Sequence, residues 1–171
     1  MKNKNMLLSL ITSVVSLLLI IPMFLNIFSY SVYGKLFDTT TVTNFGLFAE
    51  YPSTIEHTAG SIIFDICLII GVVLAGLYLV AFILEILNVK LNYSIIKKVL
   101  AGLFVVTFIV ALIGGIVFAS QNHLDNDLYT RNLIPNVGFY LALVFMLASG
   151  ALAFVSSMGK AKKATKKRKR K

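Results

Sequence analysis

At 171 residues, with 58% hydrophobic and only 13% charged residues, the chain departs from soluble domains, which carry roughly 45–50% apolar and 25% charged residues. Its single cysteine, Cys67, excludes an intramolecular disulfide and any metal centre built on several thiolates. The net charge of +9 is concentrated in a few segments, and its placement carries more than its size.

Four stretches pass the roughly 18-residue apolar length of a membrane span: about Met6–Phe28, Ile62–Leu87, Val99–Ser120 and Pro135–Met158. They predict an all-α membrane fold, a four-transmembrane-helix bundle over 1–159 followed by a basic tail over 160–171, with no room for a separate soluble domain. Fourteen of the sixteen Lys and Arg residues fall in three segments: Lys2 and Lys4, then Lys90, Lys97 and Lys98, then nine residues from Lys160 to Lys171. Four crossings put these segments on one side, and the positive-inside rule makes that side cytoplasmic. The expectation is a multi-pass protein of the cell membrane with both termini inside. Lys-, Asn- and Ile-rich usage points to a bacterium with an AT-rich genome.

The first span follows a basic start, but its apolar run exceeds the 7–15 residues of a signal-peptide core and lacks a small-residue cleavage site. It reads as a retained signal anchor. Pro22 removes a backbone donor and clashes one turn back, so a kink is expected in the far half. The loop 29–60 is folded in composition. Tyr30-Ser31-Val32-Tyr33, a turn at Gly34-Lys35 and the β-branched run Thr39-Thr40-Thr41-Val42-Thr43 predict a small extracellular antiparallel β-sheet. Phe45, Leu47 and Phe48 around Gly46 are expected to pack that sheet onto the helices; the alternative is an exposed apolar patch. Tyr51-Pro52 ends the sheet, with a short helix near Ser53–Thr58.

Asp65 and Glu85 bracket 19 uncharged residues of the second span, a helix length of about 28 Å that nearly matches a hydrocarbon core. The match favours two interfacial carboxylates. The sharper alternative is ion handling by Asp65 and Glu85, because acids inside a membrane are functional by default. The connection 88–98 is short enough for an antiparallel hairpin. Ala111, Gly115 and Ala119 on the third span, and Ser149, Ala153 and Ser157 on the fourth, form small-residue stripes suited to close packing within the bundle. The segment 121–134 reads as a plain connection, with Asn132 as a helix cap and Pro135 in the first turn of the last span. In the tail, Lys166, Lys167, Arg168, Lys169, Arg170 and Lys171 complete a polybasic cluster that suits the anionic lipids of the inner leaflet. It has no interleaved aromatics on which bases would stack, which disfavours nucleic acid.

Searches for chemistry return little. His57 near Glu50 and Glu56, and His123 near Asp125 and Asp127, offer ligands from two loops on one side, without any recurring metal-ligand spacing. No phosphate-cradling loop or nucleophile elbow occurs. The serines inside spans one, two and four are expected to lack an in-membrane histidine or lysine partner, which disfavours an intramembrane hydrolase. No enzyme and no cofactor is expected, and four spans without an inverted repeat disfavour a stand-alone transporter.

Asn44-Phe45-Gly46-Leu47-Phe48 resembles the Gly-Leu-Trp segment in the first outer loop of the claudin-type tetraspan superfamily, with Phe48 in place of the tryptophan. Tyr30 stands where that family has an earlier aromatic; the family's two disulfide cysteines are missing. The resemblance implies a left-handed four-helix bundle topped by a sheet, with Gly46, Leu47 and Phe48 as its outer-sheet motif. The resulting expectation is a non-enzymatic scaffold, adhesion element or accessory subunit, acting by lateral assembly with a membrane-protein partner or as a homo-oligomer. A small pore or transport component using an intramembrane carboxylate is the alternative.

Overall fold

The computed structural model describes residues 2–36, 39–48 and 58–158. The expected helix near Ser53–Thr58, the residues Asp38, Glu50, Glu56 and His57, and the basic tail with Lys166 to Lys171 lie outside the described residues, apart from Thr58, which precedes a helix.

Helix α1 (Lys2–Leu17) passes into a 3₁₀ segment (Leu18–Phe24). The change falls one turn before Pro22, whose ring would clash with the carbonyl of Leu18 in a regular α-helix and which has no N–H to give it. The kink expected at Pro22 is thus a change of helix type. The first span ends earlier than expected: Phe28 already belongs to strand β1 (Phe28–Gly34), which forms a hairpin with β2 (Thr39–Phe45). Helices α2 (Ala59–Ile86) and α3 (Tyr93–Gln121) follow, then strands β3 (Leu124–Asp125) and β4 (Tyr129–Pro135), then α4 (Val137–Met158). All four helical segments are long and apolar enough to cross a membrane.

The helices form a ring in which α1 packs on α4 and α2, α2 on α3, and α3 on α4. Small and aromatic residues face inward, such as Phe64, Leu68, Gly71, Ala75 and Tyr78 of α2. Branched aliphatics face outward, such as Ile62, Ile66, Ile69, Val73, Leu77 and Val80. This distribution suits lipid outside and close backbone approach inside. The expected stripes do face the interior: Ala111, Gly115, Ser149, Ala153 and Ser157 are buried, and Ala119 is half-buried. A further stripe was not anticipated. Ser9, Thr12, Ser13 and Ser16 are buried on α1, each hydroxyl bonding a carbonyl three or four residues back on its own helix. Back-bonding satisfies these groups without a partner helix.

The sheet differs from expectation in one respect. It has four antiparallel strands in the order β2-β1-β4-β3, drawn from the first and third inter-helix segments rather than from the first loop alone. The whole of β1 pairs with β4, from Phe28 opposite Pro135 to Gly34 opposite Tyr129. The segment 121–134 is therefore no plain connection. Asn132 lies within β4, and Pro135 ends that strand, where its missing N–H costs no ladder bond. Asn136 is the residue that leads into α4: its side-chain oxygen accepts the Val137 N–H at 2.7 Å, and its carbonyl accepts the Phe139 N–H at 3.0 Å.

Candidate functional site

Sheet and bundle meet in a cluster of five buried phenylalanines, and each of the five elements meeting there supplies one: Phe28 of β1, Phe45 of β2, Phe64 of α2, Phe118 of α3 and Phe139 of α4. Phe28 is the centre. Its ring centroid lies 5.0 Å from Phe118, 5.4 Å from Phe139, 5.7 Å from Phe64 and 6.0 Å from Phe45. Such offset and edge-on pairs add about 0.5–1.5 kcal/mol each beyond burial. Period-2 alternation in β1 and β2 turns Phe28 and Phe45 to the bundle side, because they are directly opposite in the register. Thirteen phenylalanines are spread over the sequence, so nothing in it marks these five as a group.

The three motif residues have separate fates. Gly46 is buried where the chain after the first span passes the end of β2: the Ile27 N–H donates to the Phe45 carbonyl at 2.9 Å, and a Cβ on Gly46 would collide with the Leu25 carbonyl oxygen. Leu47 is partly buried against the core. Phe48 does not pack the sheet onto the bundle. It is 67% exposed and lies beside Phe24, itself 74% exposed, with centroids 5.4 Å apart. The packing role expected of Phe45, Leu47 and Phe48 therefore falls to Phe45 and, in part, to Leu47.

Asp65 and Glu85 do not form one site. They stand twenty positions apart on one helix, about 30 Å along its axis. Asp65 is half-buried in the second turn of α2 near the sheet end. Glu85 lies at the other end, where its carboxylate pairs with the ammonium of Lys97 on α3. Lys97 also donates to the Ser9 hydroxyl of α1 at 2.6 Å. Ser9 thus has a lysine partner, supplied by a residue that belongs in sequence to the 88–98 connection. In sequence Lys97 belongs with Lys90 and Lys98 to the basic residues of the 88–98 connection. Its twelve-residue distance from Glu85 across a helical hairpin was the available signal.

Away from the helices, Lys35 at the tip of the β1–β2 hairpin bonds the Asp125 carboxylate and the Asn126 carbonyl, each at 2.6 Å. Thr130 donates to the same carboxylate at 2.8 Å. Together with the Lys35 charge, these bonds hold the Asp125 carboxyl below the usual carboxylate range. His123 Nδ1 lies 2.6 Å from the side-chain oxygen of Asn132. Among the described residues, no group of three His, Cys, Asp or Glu side chains comes together to hold a metal ion.

Four long apolar helices with lipid-suited outer faces, closed at one end by a docked sheet, define a multi-pass membrane protein. Neither a protein-family model nor a curated protein matches the chain.

Proposed function

We propose that this protein is a non-enzymatic tetraspan of the cell membrane, a scaffold, adhesion element or accessory subunit that works through lateral assembly and through its sheet. The observation that supports this reading best is the construction of the sheet. The first and third inter-helix segments contribute strands, and Phe28 and Phe45 fix them to α2, α3 and α4. A platform built that way presents one fixed surface, which suits recognition of a partner protein or of a second copy of the chain. Among the described residues, Asp125 is held in structural contacts with Lys35 and Thr130, and His123 in one with Asn132. In this reading the termini are cytoplasmic, the sheet faces outward as in the claudin-type tetraspans that Gly46, Leu47 and Phe48 resemble, and the basic tail from Lys160 holds to anionic lipid of the inner leaflet.

The competing reading is a small pore or transport component using Asp65 or Glu85, and it draws on the burial of a charged pair between helices. Purification in mild detergent from the native membrane, with identification of co-purifying proteins, tests the first reading; a stoichiometric partner or a defined homo-oligomer is the expected result. Asp65→Asn separates the two. Assembly unchanged and no flux difference in proteoliposomes agrees with the scaffold. An ion flux that this one substitution abolishes refutes it.

A further inference from the structure

The connection between α2 and α3 is folded, and every second residue of it, Leu87, Val89 and Leu91, is a bare aliphatic between the polar Asn88, Lys90 and Asn92. The end of α2 is closed by two backbone bonds: Asn88 N–H to the Glu85 carbonyl at 3.2 Å, and Val89 N–H to the Leu84 carbonyl at 3.1 Å. This is the doubly bonded cap that needs a left-handed residue, supplied by Asn88 at φ 56°. The Leu91 N–H then closes onto the Val89 carbonyl at 2.9 Å, and the Tyr93 hydroxyl donates to the same carbonyl at 2.8 Å.

The fixed tip leaves Leu87 67%, Val89 41% and Leu91 50% exposed. Lys90, between the last two, and Lys98, in the second turn of α3, are exposed as well. Lys97 is turned inward and matched by Glu85. No Asp or Glu occurs between Ile86 and Leu124, so nothing nearby in sequence balances Lys90 and Lys98. Among the described residues neither has an acidic partner within 4.0 Å.

Two requirements meet at this tip. Bare aliphatic side chains favour leaving water, at about 25 cal/mol per Å². Uncompensated ammonium groups favour a phosphate. The boundary between acyl chains and headgroups satisfies both, with aliphatic side chains down and lysines reaching to the phosphates. The tip joins two candidate spans directly, Ala59–Ile86 and Tyr93–Gln121, and so stands at the level where they leave the hydrocarbon. We propose that the α2–α3 hairpin tip is a lipid-surface site, in which Leu87, Val89 and Leu91 seat in the acyl boundary while Lys90 and Lys98 hold anionic headgroups. The site is distinct from the basic tail and acts on the same leaflet, because α2 and α3 form a hairpin and the start of α1 and the end of α4 lie on its side of the bundle, near Lys97 and Ser94.

The chain contains no tryptophan, so Leu91→Trp introduces a single fluorescent reporter at the tip. The full-length variant is reconstituted into vesicles of phosphatidylcholine with or without phosphatidylglycerol, using lipids brominated near the headgroup end or near the methyl end of the chains. The expected result is stronger quenching by the shallow bromines than by the deep ones, and weak quenching by aqueous acrylamide. Brominated phosphatidylglycerol should quench more than brominated phosphatidylcholine at equal mole fraction, and adding Lys90→Gln should lower that lipid preference about fivefold. Strong acrylamide quenching without bromolipid quenching places the tip in water and overturns the proposal. Emission unquenched by either, and changing with protein density, assigns the face to a second copy and overturns it too. Equal quenching by the two headgroups, unchanged by Lys90→Gln, removes the anionic site. Should Leu91→Trp fail to fold by far-UV circular dichroism, Leu87→Trp carries the same measurement.

Discussion

Lys97 ties three helices together at the end of the bundle opposite the sheet: its ammonium is paired with Glu85 of α2 and donates to Ser9 of α1. The two charges are not equally buried, with side-chain exposures of 4% for Lys97 and 22% for Glu85. Taking a charge out of water is tolerable only with a partner, and breaking a buried pair costs about 3–5 kcal/mol. Glu85→Leu strands the more deeply buried charge and should fall in that range. Lys97→Met leaves a carboxylate that still reaches water and should cost less. The double variant Lys97→Met with Glu85→Leu should regain most of the loss, since no charge is then stranded. Denaturation midpoints of the three variants in detergent check the order; a double variant as weak as Glu85→Leu alone would show that packing, not charge, sets the effect.

The phenylalanine cluster predicts a second, separable loss. Phe28 touches four other rings, and truncating a buried phenylalanine typically costs 3–5 kcal/mol. Phe28→Ala should therefore destabilise strongly and should release the sheet first, because Phe28 is the strand residue common to contacts with α2, α3 and α4. Hydrogen exchange should show lost protection across β1, β2 and β4 while the helix interiors keep theirs. Phe48→Ala, at an exposed ring, should change stability by less than about 1 kcal/mol. Equal exchange profiles for the two variants would contradict this division.

The helices were legible because their signal is redundant: each span repeats the apolar pattern over more than twenty residues, and errors at the ends do not erase it. Strands β1 and β2 were legible through the β-branched run at Thr39–Thr43 and the turn at Gly34-Lys35. Strand β4 was missed because it has Arg131 and Asn132 in its middle and ends in a proline that fits a helix start as well as a strand end. What makes it a strand is β1 beside it, a partner roughly one hundred residues away in sequence. The Glu85–Lys97 pair was hidden for a related reason. Charge counting treats every lysine on a short connection as exposed, whereas the register of α2 against α3 turns Lys97 inward and leaves Lys90 and Lys98 outside. Of the motif, Phe48 was not placed correctly, since an aromatic beside a tight turn serves equally well inside or outside.

Asp125 gives the sheet tip a pH dependence whose sign is fixed. Its pKa is lowered in the folded protein by the hydrogen bonds from Lys35 and Thr130 and by the Lys35 charge. A lowered folded pKa contributes stability that is present above the unfolded value of about 3.9 and is lost as pH falls through the folded one. The contact should thus persist through neutral and mildly acidic pH and fail only below the ordinary carboxylate range. The group is fully solvent-exposed, so the effect should be small and should weaken with added salt. Carbon-13 titration of the Asp125 carboxyl should give a midpoint below that of an unstructured aspartate, and Lys35→Met should raise it. A midpoint unmoved by Lys35→Met would remove the ion pair from the account.

Two glycines give an internally controlled test of close approach. At Gly46 a Cβ would meet the Leu25 carbonyl oxygen, a backbone atom held in place because the adjoining Ile27 N–H is bonded to Phe45. Neither side can yield without moving the chain that leaves the first span or the strand end that carries Phe45. Gly46→Ala should therefore cost roughly 1–3 kcal/mol, the usual penalty of overpacking. At Gly76, in the middle of α2, nothing lies within 4 Å of the same added atom. Gly76→Ala has no clash to set against the higher helix propensity of alanine, worth up to about 1 kcal/mol, and should be neutral or stabilising. Thermal unfolding of the two variants in one detergent reads the difference directly. If Gly46→Ala proves as harmless as Gly76→Ala, the contact with Leu25 is not what holds the sheet end against the first span, and the Phe28 cluster alone must do so.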